Sequence, residues 1–125
     1  MGKPRVLICD DEEGVRESLK LILEERYDLE MVENGEAAVG RVAQAPFDVM
    51  CLDLKMPRMD GAETLRRVRQ LAPHMPVLIL TAYQSVDIAK DMLRHGATDY
   101  LSKPFDQQEV LTVIEQLLKK RRRII

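Results

Sequence analysis

A chain of 125 residues, 46% hydrophobic and 32% charged, can bury one core without disulfide or metal staples and lies far from the composition of disordered chains. The net charge of −2 hides an asymmetry, because Lys119, Lys120, Arg121, Arg122 and Arg123 are followed by no acid. Without those five cations, 14 Lys and Arg face 21 Asp and Glu, so residues 1–118 carry −7, which argues against nucleic-acid binding by the body of the domain. No apolar run approaches membrane-spanning length, and Met1-Gly2-Lys3-Pro4-Arg5 lacks the apolar core of a secretion signal, so a cytoplasmic protein is expected. Cys9 and Cys51 lie inside apolar runs and read as buried free thiols.

Val6-Leu7-Ile8-Cys9 reads as a first strand ending on Asp10-Asp11-Glu12-Glu13. Val15, Leu19, Ile22 and Leu23 then follow the spacing of an amphipathic helix. Leu29 and Met31 alternate with Asp28 and Glu30, a strand with one wetter face that suits a place near a sheet edge. Asn34-Gly35 opens a second helix with Ala38, Val39 and Val42, closed before Pro46. Val49-Met50-Cys51-Leu52 is apolar throughout and breaks at Pro57, so it predicts a strand buried on both faces, with Asp53 where the chain leaves the sheet. Asp60-Gly61-Ala62-Glu63 resembles an N-cap with a glutamate three residues on, and a third helix with Leu65 and Val68 should stop near Pro73. Val77-Leu78-Ile79-Leu80-Thr81 is a fourth strand, and Ile88, Ala89, Met92 and Leu93 mark a fourth helix ended by His95-Gly96. Asp99-Tyr100-Leu101 is a short fifth strand. A last helix with Val110, Val113, Ile114, Leu117 and Leu118 runs into the basic tail, whose charge suits a helix C-terminus leading to a linker as well as it suits nucleic acid.

Five strands alternating with five helices through short loops predict an α/β fold, a doubly wound five-stranded parallel sheet with helices on both faces. The chain reads as a single domain over residues 1–125, with 119–125 as the start of a linker. Asp10, Asp11, Asp53, Thr81 and Lys103 all fall at the C-terminal ends of strands, where open α/β sheets bind ligands. Three carboxylates brought together repel, so such a cluster either raises a pKa or holds a cation. With oxygen ligands only, and no histidine or free cysteine expected at a strand end, that cation is Mg²⁺. Lys103 as an ammonium and Thr81 as a neutral donor complete the equipment of a phosphoryl site, with Asp53 as the remaining nucleophile. There is no Gly-rich phosphate loop or dinucleotide fingerprint, so the phosphoryl group is not expected to arrive in a nucleotide cradle.

Four segments, Val6 to Asp11, Asp53 to Gly61, Leu80-Thr81-Ala82 and Asp99 to Phe105, together resemble the receiver domain of bacterial response regulators, over about Arg5 to Leu118. The resemblance implies the sheet order 2-1-3-4-5 of flavodoxin-like folds. It also implies that Asp53 accepts a phosphoryl group from a phosphohistidine of a sensor histidine kinase, with Mg²⁺ positioned by Asp10, Asp11, Asp53 and the backbone carbonyl of Lys55. Thr81 and Lys103 would contact the phosphoryl oxygens, the Lys103-Pro104 bond would be cis, and Tyr100 would swing inward as Thr81 moves. The fourth helix, fifth strand and fifth helix would then present a changed face to an output domain or downstream protein, or to a second copy of the chain. Lys55 and Tyr83 match positions that tune water access to the acyl phosphate, and their bulk suggests slow decay. The stretch Leu80 to Val86 and the segment Lys103-Pro104-Phe105 look most like receivers of transcriptional activators.

Rival readings make different demands. An Asp-nucleophile phosphatase resembling the haloacid dehalogenase family would want a second Asp two residues after the nucleophile, and that position is Lys55. A flavodoxin-like electron carrier would want a phosphate loop after the first strand, where Asp10-Asp11-Glu12-Glu13 would repel the flavin phosphate. A receiver that binds partners without phosphorylation would not require the full acid, threonine and lysine set.

Overall fold

The strands form where β-branched and long apolar residues alternate between two faces that are both covered. The computed structural model describes residues 2–56, 59–82 and 86–124, with side chains as far as Lys120. Its elements are β1 (Arg5–Cys9), α1 (Glu13–Leu23), β2 (Asp28–Val32), α2 (Gly35–Gln44), β3 (Val49–Leu52), α3 (Gly61–Leu71), β4 (Val77–Thr81), α4 (Val86–Arg94), β5 (Asp99–Ser102) and α5 (Gln107–Ile124). The five strands pair in parallel in the order β2-β1-β3-β4-β5, as the doubly wound reading requires.

Period-2 alternation sorts the core into two layers. Leu7, Met50, Leu52, Val77 and Ile79 face Ala38, Leu65, Val68 and Met92 of α2, α3 and α4. Val6, Ile8, Val49, Cys51, Leu78 and Leu80 face Leu19, Leu23, Val110, Ile114 and Leu117 of α1 and α5. Each such fully buried aliphatic side chain contributes roughly 1.5–3 kcal/mol relative to exposure. The wetter strand, β2, lies at the edge of the sheet, with Asp28 exposed and Leu29 to Val32 half-buried. One apolar position departs from expectation: Leu93 of α4 is 45% exposed, because Met92 and the half-buried Ile88 already fill the contact with the sheet layer.

Local chemistry closes the helices where the sequence indicates. Asn34 caps α2 through its side-chain oxygen and the Ala37 N–H (2.8 Å). Asp60 does the same for α3 through the Glu63 N–H (2.9 Å). After α4, Gly96 adopts φ +108°, and the Ala97 N–H reaches the Met92 carbonyl (3.0 Å) while the Gly96 N–H reaches that of Leu93 (3.3 Å). This paired arrangement needs a left-handed residue that glycine supplies without strain. The basic run lies on α5 itself, which continues through Ile124.

Candidate functional site

Register alone brings the chemical groups together. Cys9 is paired with Leu52 and Thr81 with Ser102, so the next residues, Asp10, Asp53 and Lys103, emerge side by side at the C-terminal edge. The ladder continues one step past the strands through Asp53 N–H to Cys9 O (3.0 Å), Lys103 N–H to Thr81 O (2.8 Å) and Asp10 N–H to Val32 O (3.2 Å). Backbone hydrogen bonds therefore fix the starting points of these side chains.

Lys103 is the hub. Its Nζ donates to Asp10 Oδ2 (2.8 Å) and lies 3.7 Å from Asp53 Oδ2 and 3.8 Å from Glu12 Oε1. Asp10 Oδ1 accepts the Glu12 N–H (2.9 Å) and Asp53 Oδ1 accepts the Lys55 N–H (3.3 Å). Asp10 and Asp53 are each only 2% exposed, whereas Asp11 and Glu12 are exposed. One carboxylate oxygen from each of the four lies within 4.8 Å of the others. Thr81 is fully buried, and its Oγ1 is an orphan, without a well-formed hydrogen bond among the described residues. The Lys103-Pro104 peptide is cis.

Charge balance follows from this packing. Burial, with the charge of Asp10 added, pushes the Asp53 carboxyl above its ordinary range; Lys103, the nearby Thr81 hydroxyl and the Lys55 N–H oppose the shift without cancelling it. Burial alone would lower the Lys103 ammonium, but the hydrogen bond and charge of Asp10, with Asp53 and Glu12, outweigh it and hold the group above its usual value. Four carboxylates against one ammonium leave a pocket suited to a hard divalent cation.

The model of the response regulator receiver domain matches residues 6–115. The chain belongs to that family. Response regulator MprA of Mycolicibacterium vanbaalenii is 39% identical over 117 residues, covering 93% of this chain and 51% of that protein. MprA of Mycobacterium leprae is 41% identical over the same length and shares, so the receiver domain spans about half the length of the curated relatives it matches. Among solved structures, the receiver domain protein (CheY-like) of Methanospirillum hungatei JF-1 superposes with a TM-score of 0.94 at 29% identity, over 99% of this chain and 100% of that one. Chemotaxis protein CheY4 of Vibrio cholerae gives 0.88 at 30% identity, over 94% and 100%.

The receiver domain brings Asp10, Asp11, Asp53, Thr81 and Lys103 together as the strand-end reading expects, with Lys55 joined through its backbone N–H. Tyr100 stands half-buried on β5 opposite Ile79, packed against the core layer of α2, α3 and α4. Tyr83 and Pro57 lie outside the described residues. The expectation that no free cysteine stands at a strand end needs correction, since Cys9 is the last residue of β1. Its thiol turns toward Asn34 O (3.4 Å) and Met56 Sδ (3.6 Å), and burial with the neighbouring aspartates pushes it up to about 12. It stays protonated and leaves the ligand set all oxygen.

Two participants escaped sequence reasoning. Glu12 was only one of a run of acids, and its place 3.8 Å from Lys103 follows from the turn after β1. Gly61 was only the residue after a cap, yet a methyl group there would sit 2.4 Å from Leu54 Cα and 2.6 Å from Asp53 O. The N-terminus of α3 can therefore press against the acceptor strand only without a side chain. Receiver domains hold Mg²⁺ through such an acidic cluster, and the residues present here fit it: the donors are all carboxylates, and the orphaned Thr81 hydroxyl faces the same edge of the sheet.

Proposed function

We propose that this domain is a phosphorylation-dependent switch in which Asp53 accepts a phosphoryl group from the phosphohistidine of a sensor histidine kinase. The observation that carries the reading is the meeting of one ammonium, Lys103, with two buried carboxylates, Asp10 and Asp53, beside a buried hydroxyl that has no well-formed hydrogen bond among the described residues. A carboxylate oxygen of Asp53 forms the new bond to phosphorus as the P–N bond breaks, and that bond's electron pair leaves on the imidazole nitrogen, which takes up a proton. Mg²⁺ held by Asp10, Asp11, Asp53 and the Lys55 carbonyl would supply charge against the phosphoryl oxygens. Lys103 then serves a second phosphoryl oxygen and Thr81 a third, which ends the isolation of its hydroxyl.

The added charge of nearly −2 draws Thr81 and its loop inward. Tyr100 follows, and the face formed by α4, β5 and α5 changes. A cavity of about 240 Å³ lined by Leu54, Met56, Ile88 and Met92 gives α4 room to shift. Val86 and Leu93, 65% and 45% exposed on α4, offer apolar contacts to an output domain, a downstream protein or a second copy. This scheme has no turnover substrate: the domain phosphorylates itself from the donor and loses the group slowly, with Lys55 hindering water. It describes a cytoplasmic domain that does not itself bind nucleic acid, and the relatives of double length support residues 119–125 as the lead into an output domain, such as that of a transcriptional activator. Among the described residues no helix is long and apolar enough to cross a membrane.

Labelling with acetyl phosphate tests the reading. One stoichiometric, hydroxylamine-sensitive phosphoryl group that requires Mg²⁺ and vanishes in Asp53→Asn is expected. Continuous phosphate release from small phosphoesters would favour the phosphatase, and label retained by Asp53→Asn would remove Asp53 from its role.

A further inference from the structure

Every polar group of Asp10 is engaged. Its N–H meets Val32 O (3.2 Å), its carboxylate meets Lys103 Nζ and the Glu12 N–H, and its carbonyl accepts Arg16 Nη1 at 2.8 Å. Arg16 stands in the second turn of α1 with only 14% of its side chain exposed, and its other terminal nitrogen lies 3.5 Å from Glu33 Oε1. The guanidinium thus spans the loop after β1 and the loop after β2. The helix it rises from needs such a tie, because Glu12 at the N-cap makes no side-chain capping bond.

We infer that Arg16 is a positioning residue for the metal ligands: by holding the Asp10 carbonyl it fixes the peptide from which both Asp10 and Asp11 project. The inference rests on the reading of the site as a Mg²⁺-dependent phosphoacceptor. A peptide group is planar, so the direction of the Asp10 carbonyl also sets that of the Asp11 N–H and the start of the Asp11 side chain. With the carbonyl turned outward to Arg16, the carboxylate is free to turn inward to Lys103 and Glu12 N–H. A planar fork reaches two acceptors in two loops at once, which a single ammonium cannot do. Groups that orient metal ligands in this way typically change metal affinity 10–100-fold when removed.

Charge and positioning predict opposite signs. Arg16 is a cation near an acidic pocket, so by charge alone its loss should tighten Mg²⁺ binding, whereas by positioning its loss should weaken it. The experiment compares the parent with Arg16→Lys and Arg16→Met, and uses Lys20→Met to remove a cation from the exposed side of the same helix. Mg²⁺ affinity is read from the rise in melting temperature on titration and from half-saturation of acetyl phosphate labelling. Amide exchange at Glu12 is read in EDTA.

The half-saturating Mg²⁺ concentration should rise in the order parent, Arg16→Lys, Arg16→Met, reaching about tenfold in the last. The Glu12 amide should exchange faster in the same order without metal, and Lys20→Met should match the parent. Arg16→Met binding Mg²⁺ as tightly as the parent or tighter, or unchanged Glu12 exchange, overturns the inference. If Arg16→Met does not fold, Arg16→Lys decides alone, since it keeps the charge. A parent that neither binds Mg²⁺ nor takes label sinks the phosphoacceptor reading and this one together; a parent that does both, with variants at its own half-saturation, sinks only the role of Arg16.

Discussion

Replacing Asp53 by asparagine should abolish phosphorylation and, without divalent cations, make the domain more stable. Among the described residues Asp53 has one cation close by, Lys103 at 3.7 Å, an attraction of about 4.5 kcal/mol at an effective dielectric constant near 20. Asp10 lies within 4.8 Å, a repulsion of about 3.5 kcal/mol or more on the same footing, and the exposed Asp11 and Glu12 each add roughly 1 kcal/mol through water-like screening. Attraction and repulsion nearly cancel, so the cost of burying a carboxylate that is 2% exposed remains uncompensated. The near-isosteric amide removes that cost, a gain on the order of 2 kcal/mol, or roughly 6–10 °C in melting temperature for a domain this size.

The pH dependence has a definite sign. Burial and the charge of Asp10 raise the folded-state pKa of Asp53 above the ordinary value of an aspartate, so its contribution to stability is fully present below that ordinary value. It is lost as pH rises through the folded pKa. The advantage of Asp53→Asn should therefore be smallest at acid pH, near 4 and below, and grow as pH rises through the raised folded-state pKa. Mg²⁺ should shrink it, because saturation at 100 times Kd stabilises the parent by about 2.7 kcal/mol and the variant, lacking one ligand, by less. Thermal unfolding in EDTA and in Mg²⁺ across pH 4–8 measures all three effects. Equal melting temperatures in EDTA at pH 7, or a gap that Mg²⁺ does not alter, would refute the charge balance described here.

The remaining substitutions probe the other groups. Thr81→Val should leave stability unchanged or raise it by about 1 kcal/mol in thermal unfolding, since the buried hydroxyl has no well-formed hydrogen bond among the described residues; a clear destabilisation would mean that the nearby Asp53 carboxylate already satisfies it. Lys103→Met removes the one ammonium found among the four carboxylates in the described residues and should cost about 3–5 kcal/mol in EDTA, part of which Mg²⁺ restores; denaturant titration with and without the ion checks it. Gly61→Ala should cost about 1–3 kcal/mol by overpacking and shift the amide resonances of Asp53 and Leu54, because the added methyl meets their backbone.

The fold was legible because it rests on short-range signals. Runs such as Val49 to Leu52 and Val77 to Leu80 are short and apolar at every position, as a strand covered on both faces requires, and the cap at Asp60 is side-chain chemistry visible in four residues. Strand-end placement likewise puts Asp10, Asp11, Asp53, Thr81 and Lys103 at one edge of the sheet, because parallel strands all end on the same side. What stayed hidden depends on distance through space. Arg16 reads as one more charged residue on a helix, and its burial comes from a carbonyl six residues back and a carboxylate on a different loop. Leu93 carries the same apolar signal as Met92, but only one of the two can face the sheet. Neither Arg16 nor Leu93 is distinguished by periodicity, because periodicity reports a face of a helix and not how much of that face is covered.

The same edge of the sheet that makes the chemistry accessible also makes it costly. Parallel pairing in the order observed delivers Asp10 and Asp53 from adjacent strands with no backbone freedom to separate, and Lys103, two strands from Asp53, is an ammonium held against both. An arrangement chosen for stability would replace one acid with an apolar or amide side chain, and the neighbouring core could accommodate either. Under the proposed switch, retaining both acids gives a pocket whose charge changes on phosphoryl transfer: the acceptor carboxylate would become an acyl phosphate bearing nearly two charges, which Lys103 would offset and the Thr81 hydroxyl could engage. On that reading the buried Asp53 carboxylate and the Thr81 hydroxyl on β4 are two halves of one device. The first carries an uncompensated burial cost before phosphorylation, and the second would give the phosphorylated state a further contact.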